Sequence, residues 1–355
     1  MAAAILVSFL CLMILSLVAE PPADGEMAIS TIVWILAAFF MLSFAIALVA
    51  VISGIGGGVI FSPVMLAFTD VSSLVVRATG LIVAMISGPI AAGVFTKKGL
   101  AHYRLNLVVV LSQGLGALIG ATLAVFTAAE SGITGEGFLR FGLGLIILAL
   151  AVFFLFSGKK TEVSKLIEAD RFTKCLKLDW EYYDERECKS IDYRARRAPL
   201  GIALTFLVGI MGGFFGMGGG WAITPILNLG MGLPLRVAAA NSNIILGLSG
   251  GISIWPYIFA GGIIPLFVLP WIAGQVAGGF VGSHVLARLK VELVRLILIG
   301  VMIFTSFALA TRGLELLGLI APIPAALQVA VFVATMAGIG LLIAVGRTKG
   351  RNTDA

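Results

Sequence analysis

Charge is what this sequence has least of. Only 12% of its 355 residues are Asp, Glu, Lys or Arg, where a soluble domain carries about a quarter. Hydrophobic residues make up 60%, and the mean hydropathy is +1.11. That balance excludes an ordinary soluble protein. It also excludes disorder, which needs low hydrophobicity and high charge. Histidine is almost missing, with His102 and His284 alone. The apolar runs hold almost no acidic residues, no His-Glu-x-x-His pair, no paired carboxylates and no nucleophile elbow. An enzyme is therefore not expected, and neither is a proton relay through buried carboxylates. Cysteine is scarce as well. Cys11, Cys175 and Cys188 form no disulfide framework and no CxxC pair. Reduced thiols are expected, with no metal and no cofactor.

The charge that exists is concentrated. Net charge is +6, but eleven of the 24 basic and nine of the 18 acidic residues lie between Lys159 and Arg197. The other basic residues flank apolar runs. This is the pattern of membrane loops rather than a nucleic-acid surface, so no nucleic-acid partner is expected. Glycine is abundant, at 44 residues, well above the usual share of about 7%. In a bilayer such glycine serves close helix packing or helix breaks.

Apolar runs occupy about 27–53, 59–70, 73–95, 104–127 and 138–157, then about 200–216, 221–232, 237–259, 263–287, 292–311 and 322–346. They do not alternate as barrel strands do, so they read as helices. Residues 1–19 are also apolar and carry no Lys or Arg. A first transmembrane helix suits them better than a secretory signal, which needs a basic start. The runs at 59–70 and 221–232 are too short to cross, at ~18 Å as helix against a ~30 Å hydrocarbon core. Each follows a glycine cluster, Gly54-Ile-Gly-Gly-Gly58 and Gly216-Met-Gly-Gly-Gly220. Each is read as a helix that breaks and restarts inside the membrane.

The chain is duplicated. An offset of 162 residues puts Gly56 on Gly218, Pro63 on Pro225, Ala78 on Ala240 and Ser87-Gly88 on Ser249-Gly250. It also puts Gln113 on Gln275, Gly116 on Gly278 and Gly120 on Gly282. Loop charge reverses between the halves. Lys97-Lys98 corresponds to the neutral Ala260-Gly261-Gly262, and Glu130 and Glu136 give way to Arg288 and Lys290. Basic loops stay cytoplasmic, so the halves are expected upside down relative to one another.

The expected fold is thus an all-α polytopic membrane protein of two inverted-topology repeats with glycine-broken short helices. The segments are 1–26, an apolar segment (first transmembrane helix or signal) with its acidic linker; 27–157, the first repeat; and 158–199, a charged cytoplasmic loop. The second repeat, 200–311, and a further transmembrane helix with a basic cytoplasmic tail, 312–355, complete the chain. The loop reads as solvated and peripheral, with a short amphipathic helix from Val163 to Leu178.

A helix restarting after glycines presents backbone N–H groups at its positive end, which is an anion-binding arrangement. Gly56, Gly57 and Gly58 are the candidates in the first half, with Gly218, Gly219 and Gly220 in the second. Ser62 and Thr224 add hydroxyls just inside the short helices. A dinucleotide fingerprint is excluded by the lack of a βαβ setting, and a P-loop by the lack of Gly-Lys-Ser/Thr. Asn241-Ser242-Asn243, opposite Thr79-Gly80-Leu81, is polar inside an apolar run and must bond neighbours or line a cavity. Asn241 and Thr79 are expected to face one central site, with Asn241 closer to the substrate than Gln275. Gln113 and Gln275 divide evenly between helix glue and substrate contact. Arg77 reads first as an interface anchor. The Gly116/Gly120 and Gly278/Gly282 pairs read as packing faces.

The twin motifs Gly54-Ile-Gly-Gly-Gly58…Pro63 and Gly216-Met-Gly-Gly-Gly220…Pro225, with Asn241-Ser242 after a small-residue run, resemble the TauE/SafE sulfite exporter family, also called the toluene-sulfonate uptake permease family. The resemblance covers roughly 40–350. It implies a multi-pass permease of the bacterial or archaeal inner membrane for sulfite, organosulfonates or related sulfur oxyanions. The residues themselves say only that the substrate is a small anion and the surrounding partner a lipid bilayer. A passive anion channel, or a transporter of another small carboxylate or oxyanion, is the alternative, and an intramembrane enzyme ranks below both. A homodimer and coupling to H+ or Na+ are left open.

Overall fold

The computed structural model describes residues 29–53, 56–69, 71–97, 99–130, 132–156, 173, 175–176, 178–184, 189–285, 291–321 and 331. The expected segment 1–26, most of the final helix and tail, and the basic loop holding Arg288 and Lys290 lie outside them. The first half contributes α1 (Ile29–Ser53), α2 (Gly58–Phe68), α3 (Ser73–Lys97), α4 (Tyr103–Glu130) and α5 (Gly132–Phe156). A two-stranded antiparallel hairpin follows, β1 (Asp179–Asp184) and β2 (Lys189–Arg194). The second half is α6 (Ala198–Phe215), α7 (Gly220–Pro225), α8 (Leu235–Ser253), α9 (Trp255–Phe259), α10 (Pro265–Val285) and α11 (Val291–Leu316). Among the described residues seven helices are long and apolar enough to cross a membrane. The protein is an all-α multi-pass membrane protein.

Lipid exposure is visible on single helices. α4 shows Leu107, Leu111, Leu115, Ile119 and Leu123 to the outside, spaced four apart on one face. Its opposite face buries Leu105, Val109, Gln113, Ala117, Ala121 and Ala124. Water would not tolerate such a stripe, whereas acyl chains do.

Small residues set the packing. Gly116 and Gly120 of α4 lie against the backbone of Phe206 and Ile210 in α6. Gly278 and Gly282 of α10 lie against Phe44 and Leu48 in α1. These are the same contacts moved by 162 residues, and in both the paired helices run parallel. A Cβ at Gly116 or Gly120 would strike a carbonyl oxygen, so only glycine permits the approach. The helices that pair with their own repeat counterparts run antiparallel. In α3 and α8, Gly88 meets Gly247 while Gly250 meets Met85. In α5 and α11, Gly137 meets Gly313, and Ser306 Oγ donates to Gly144 O at 2.8 Å, a bond between two offset partners. The boundary expected at residue 311 falls inside α11, which continues to Leu316.

The helices break and restart at the glycine clusters, and the direction of the restart is what the sequence leaves open. In the second half the chain doubles back. α6 ends at Gly216 (φ +69°), Met217 N and Gly218 N both donate to Gly212 O, and Gly218 has φ +67°. These left-handed glycines reverse the path. After α7 and a π-helical turn, Ile226–Gly230, the chain returns to the start of α6: Met231 packs on Gly201, and Arg196 N donates to Met231 O at 2.9 Å. The π turn begins directly after Pro225, which has no N–H to continue an α ladder. The first half behaves alike. Phe61, four residues past Gly57, meets Trp271 edge-on at 4.5 Å, and Phe39, far earlier in α1, stacks on the same ring at 5.1 Å.

The hairpin corrects the reading of 158–199 as solvated. Leu178, Tyr193, Ala195 and Ala198 are buried in one cluster with Leu105, Val109, Ile223, Leu227, Met231 and Val237. The described end of the loop, from Leu178 through β2, therefore packs onto the ends of α4, α7 and α8. Of the expected helix Val163–Leu178, residues 163–172 lie outside the described residues, Thr173 and Cys175 are helical, and Leu178 leads into β1. Leu178→Ala should lower stability by about 2–5 kcal/mol, the usual cost of truncating a buried leucine. Thermal unfolding in detergent measures it; an unchanged melting temperature would restore the solvated reading.

Candidate functional site

The two glycine turns meet. Gly58 faces Gly80 O and Met217 O, at 2.6 and 2.9 Å from where a Cβ would stand. Gly56 and Gly218 both face Leu246, and Gly218 also faces Ala84. Ala84 and Leu246 are themselves offset partners. Ser62 Oγ donates to Gly216 O at 2.8 Å, tying the first short helix to the second turn. Ser242 Oγ donates to Gly220 O at 3.4 Å. All of these side chains are buried.

The helix starts match in detail. Ile60 N and Phe61 N donate to Gly57 O at 3.2 and 3.0 Å, while Ala222 N and Ile223 N donate to Gly219 O at 3.1 Å each. The first N–H groups of each short helix, on Gly58 and Val59 and on Gly220 and Trp221, have no acceptor within their own helix. They carry the positive end of the helix dipole into the protein interior.

Each turn is filled by a glutamine from the other half. A Cβ at Gly57 would lie 2.7 and 2.8 Å from Gln275 Oε1 and Nε2, with Val83 at 2.9 Å. A Cβ at Gly219 would collide with Gln113 Nε2. Moving either contact by 162 residues produces the other. Both glutamines are at most 1% exposed. Gln113 Oε1 accepts no hydrogen bond among the described residues, so polar capacity is left at this centre, and Thr224 Oγ1, on α7, is likewise without one. Glycine is required here because a side chain amide occupies the space that a Cβ would take.

The remaining candidates are placed differently. Asn241 is fully engaged. Its Oδ1 accepts from His102 N at 2.8 Å, and its Nδ2 donates to Val237 O at 2.7 Å and Leu100 O at 3.0 Å. It fastens α8 to the 100–102 connection. Asn243 Nδ2 donates to Ala239 O and Thr79 Oγ1 to Val75 O, each one turn back on its own helix. The order expected from sequence, with Asn241 ahead of Gln275 and Thr79 opposite, therefore runs against these hydrogen bonds. Three adjacent helical side chains diverge by about 100° each, so pattern alone cannot choose their neighbours. The walls Val83, Ala84 and Leu246 went unread, because apolar residues in an apolar helix carry no signal. The offset linking Ala84 to Leu246 is the one clue that pointed to them.

Residues 38–309 match the family model "Sulfite exporter TauE/SafE". The chain belongs to the TauE/SafE family. It is similar to "Probable membrane transporter protein YunE" of Bacillus subtilis (strain 168), with 25% identity over 269 residues, 74% of this chain and 92% of that protein. A shorter stretch of 59 residues is 39% identical to "Sulfite exporter TauE/SafE family protein 5" of Arabidopsis thaliana, covering 17% of this chain and 13% of that one. No solved structure matches. Membership of the TauE/SafE family makes this a membrane transporter. Both glycine turns and both glutamines lie inside the matched region, so the centre is part of the TauE/SafE core rather than an addition to it.

Proposed function

We propose that the protein is a secondary transporter of a small sulfur oxyanion, sulfite or an organosulfonate, and that the ligand binds where the two glycine turns meet. The observation that carries this is the reciprocal placement of Gln275 on Gly57 and Gln113 on Gly219. Two positive helix ends and two amide side chains converge on one buried place. An oxyanion accepts hydrogen bonds only, and amide N–H₂ and backbone N–H groups donate them. The amide O and N positions are interchangeable by a flip, so each glutamine can turn its donor to the ligand. The family description names sulfite, which supports reading the small anion as a sulfur oxyanion. No catalytic role is proposed for any residue.

The halves are read as inverted, with the 158–199 loop and the C-terminus cytoplasmic in an inner membrane. The antiparallel pairing of α3 with α8 and of α5 with α11 supports this, because repeat-related spans that pack antiparallel point in opposite directions. Single cysteines at Lys97 and Gly261, in a protein stripped of its native cysteines, should react with an impermeant thiol reagent from opposite sides. Reaction of both from one side would sink the inverted reading.

The substrate class is tested by a thermal-shift panel of sulfite, sulfoacetate, taurine, thiosulfate, formate and phosphate on the purified protein. Stabilisation by the sulfur oxyanions is expected. Stabilisation by formate or phosphate alone would reject that class.

A further inference from the structure

From a second place in the fold we infer an oxyanion site built around Arg77, separate from the glycine centre. Arg77 stands in the second turn of α3 and is 1% exposed. Its Nε donates to Ser73 O at 3.1 Å, its Nη2 to Ser73 Oγ at 3.0 Å and its Nη1 to Phe214 O at 3.4 Å. These account for three of the five N–H donors of a guanidinium. No carboxylate lies within ion-pair distance among the described residues, and Phe214 also presents its ring, 5.9 Å from the Arg77 Cζ. A buried arginine normally has an anionic partner, because its charge is costly to bury alone.

A cavity of about 460 Å³ adjoins it, bordered by Ser73, Arg77, Thr127 and the first two turns of α5, which include Gly132, Gly135 and Glu136, with phenylalanine and leucine side chains completing its wall. α5 is 25 residues long, and it turns its N-terminal, positive end to this cavity. The one acidic lining residue, Glu136, pairs with Arg140 at 3.3 Å and also attracts the Arg77 charge from beyond ion-pair distance. An arginine with two N–H donors to spare and a helix N-terminus thus border a space of ample size for a small oxyanion, while the Thr127 hydroxyl already donates to Ala124 O at 3.0 Å. One of the three hydrogen bonds Arg77 already makes, to Phe214 O, caps the end of α6 beside Gly216, and the two to Ser73 tie it to its own helix; together they hold the side chain in place for the ligand. With Glu130 and Glu136 in the non-cytoplasmic loop, this cavity lies on the outer side. The site takes the same ligand class as the proposed cargo but shares no residue with the glycine centre. The shared chemistry is an oxyanion head, from either a dissolved anion or a lipid phosphate.

The test is calorimetric titration of the full-length protein with sulfite, on a background carrying Gln113→Ala and Gln275→Ala to silence the centre. One sulfite should still bind, which also separates failure of this site from failure of the transport reading. Arg77→Lys, which keeps charge but loses the fork, should weaken that binding about tenfold or more. Glu136→Gln should tighten it about two- to fivefold by removing a repelling carboxylate. A role as helix cap alone would not tighten anything, so this variant holds the test even if Arg77 variants fold poorly. Repeating the titration in phosphatidylcholine and phosphatidylglycerol nanodiscs identifies the source. Loss of sulfite binding in phosphatidylglycerol but not in phosphatidylcholine assigns a lipid phosphate. Equal binding in both assigns a dissolved anion. Sulfite affinity and lipid competition indifferent to both Arg77→Lys and Glu136→Gln would overturn the site.

Discussion

Gly57→Val and Gly219→Val are each expected to abolish binding of sulfite. At Gly57 the new Cβ would stand 2.7–2.9 Å from Gln275 and Val83, and at Gly219 it would meet the Gln113 amide. The glutamine must leave, and the donor it brings to the centre leaves with it. Overpacking of this kind also costs about 1–3 kcal/mol of stability. The milder Gly57→Ala separates the two effects. Combined with Gln275→Ala, which vacates the contested space, it should recover the melting temperature lost by Gly57→Ala alone, with no recovery of binding. Additive stability losses in this double-mutant cycle would show that Gly57 is needed for some reason other than room for the amide.

The second large effect divides the polar residues. Gln113→Ala and Gln275→Ala should each weaken sulfite binding by about 1.5–3 kcal/mol, roughly ten- to a hundredfold, the worth of a hydrogen bond to a charged group. Their melting temperatures should change little. Asn241→Ala should do the opposite. It removes two hydrogen bonds that join α8 to residues 100–102 and a third to Val237 O within α8, and leaves buried backbone groups unsatisfied. Early melting with near-normal affinity is expected. Calorimetry and thermal unfolding on the three variants decide the matter, and normal binding by both glutamine variants would move the ligand elsewhere.

Much of this architecture is readable from residues alone. Run lengths expose the spans, and the offset of 162 residues exposes the duplication. Gly116-xxx-Gly120 and Gly278-xxx-Gly282 announce the packing faces that α6 and α1 occupy. What could not be read shares one physical cause: it depends on neighbours distant in the chain. Glycine frees the backbone without saying which way it will turn, so the reversal at Gly216 and Gly218 becomes visible only once Met231 is seen on Gly201. Asn241 and Gln275 are both amides in apolar helices. Only the placement of Leu100 and His102 beside one, and of Gly57 beside the other, distinguishes them. In the 158–199 loop, Leu178, Tyr193 and Ala195 are interleaved with charges, which conceals the buried side of a hairpin. Arg77 reads from the sequence as an interface anchor, whereas it is buried and bonds Phe214 O of α6, and the cavity beside it has no trace in the sequence.

Flux of radiolabelled sulfite into proteoliposomes holding the purified protein tests the central claim most directly. With an imposed H+ or Na+ gradient, uphill accumulation is expected, abolished in the Gln113→Ala, Gln275→Ala double variant and retained in Asn241→Ala protein that is still folded. Accumulation undiminished in the double variant, or sulfite movement that only ever runs downhill, would contradict a carrier whose site lies between the two glycine turns.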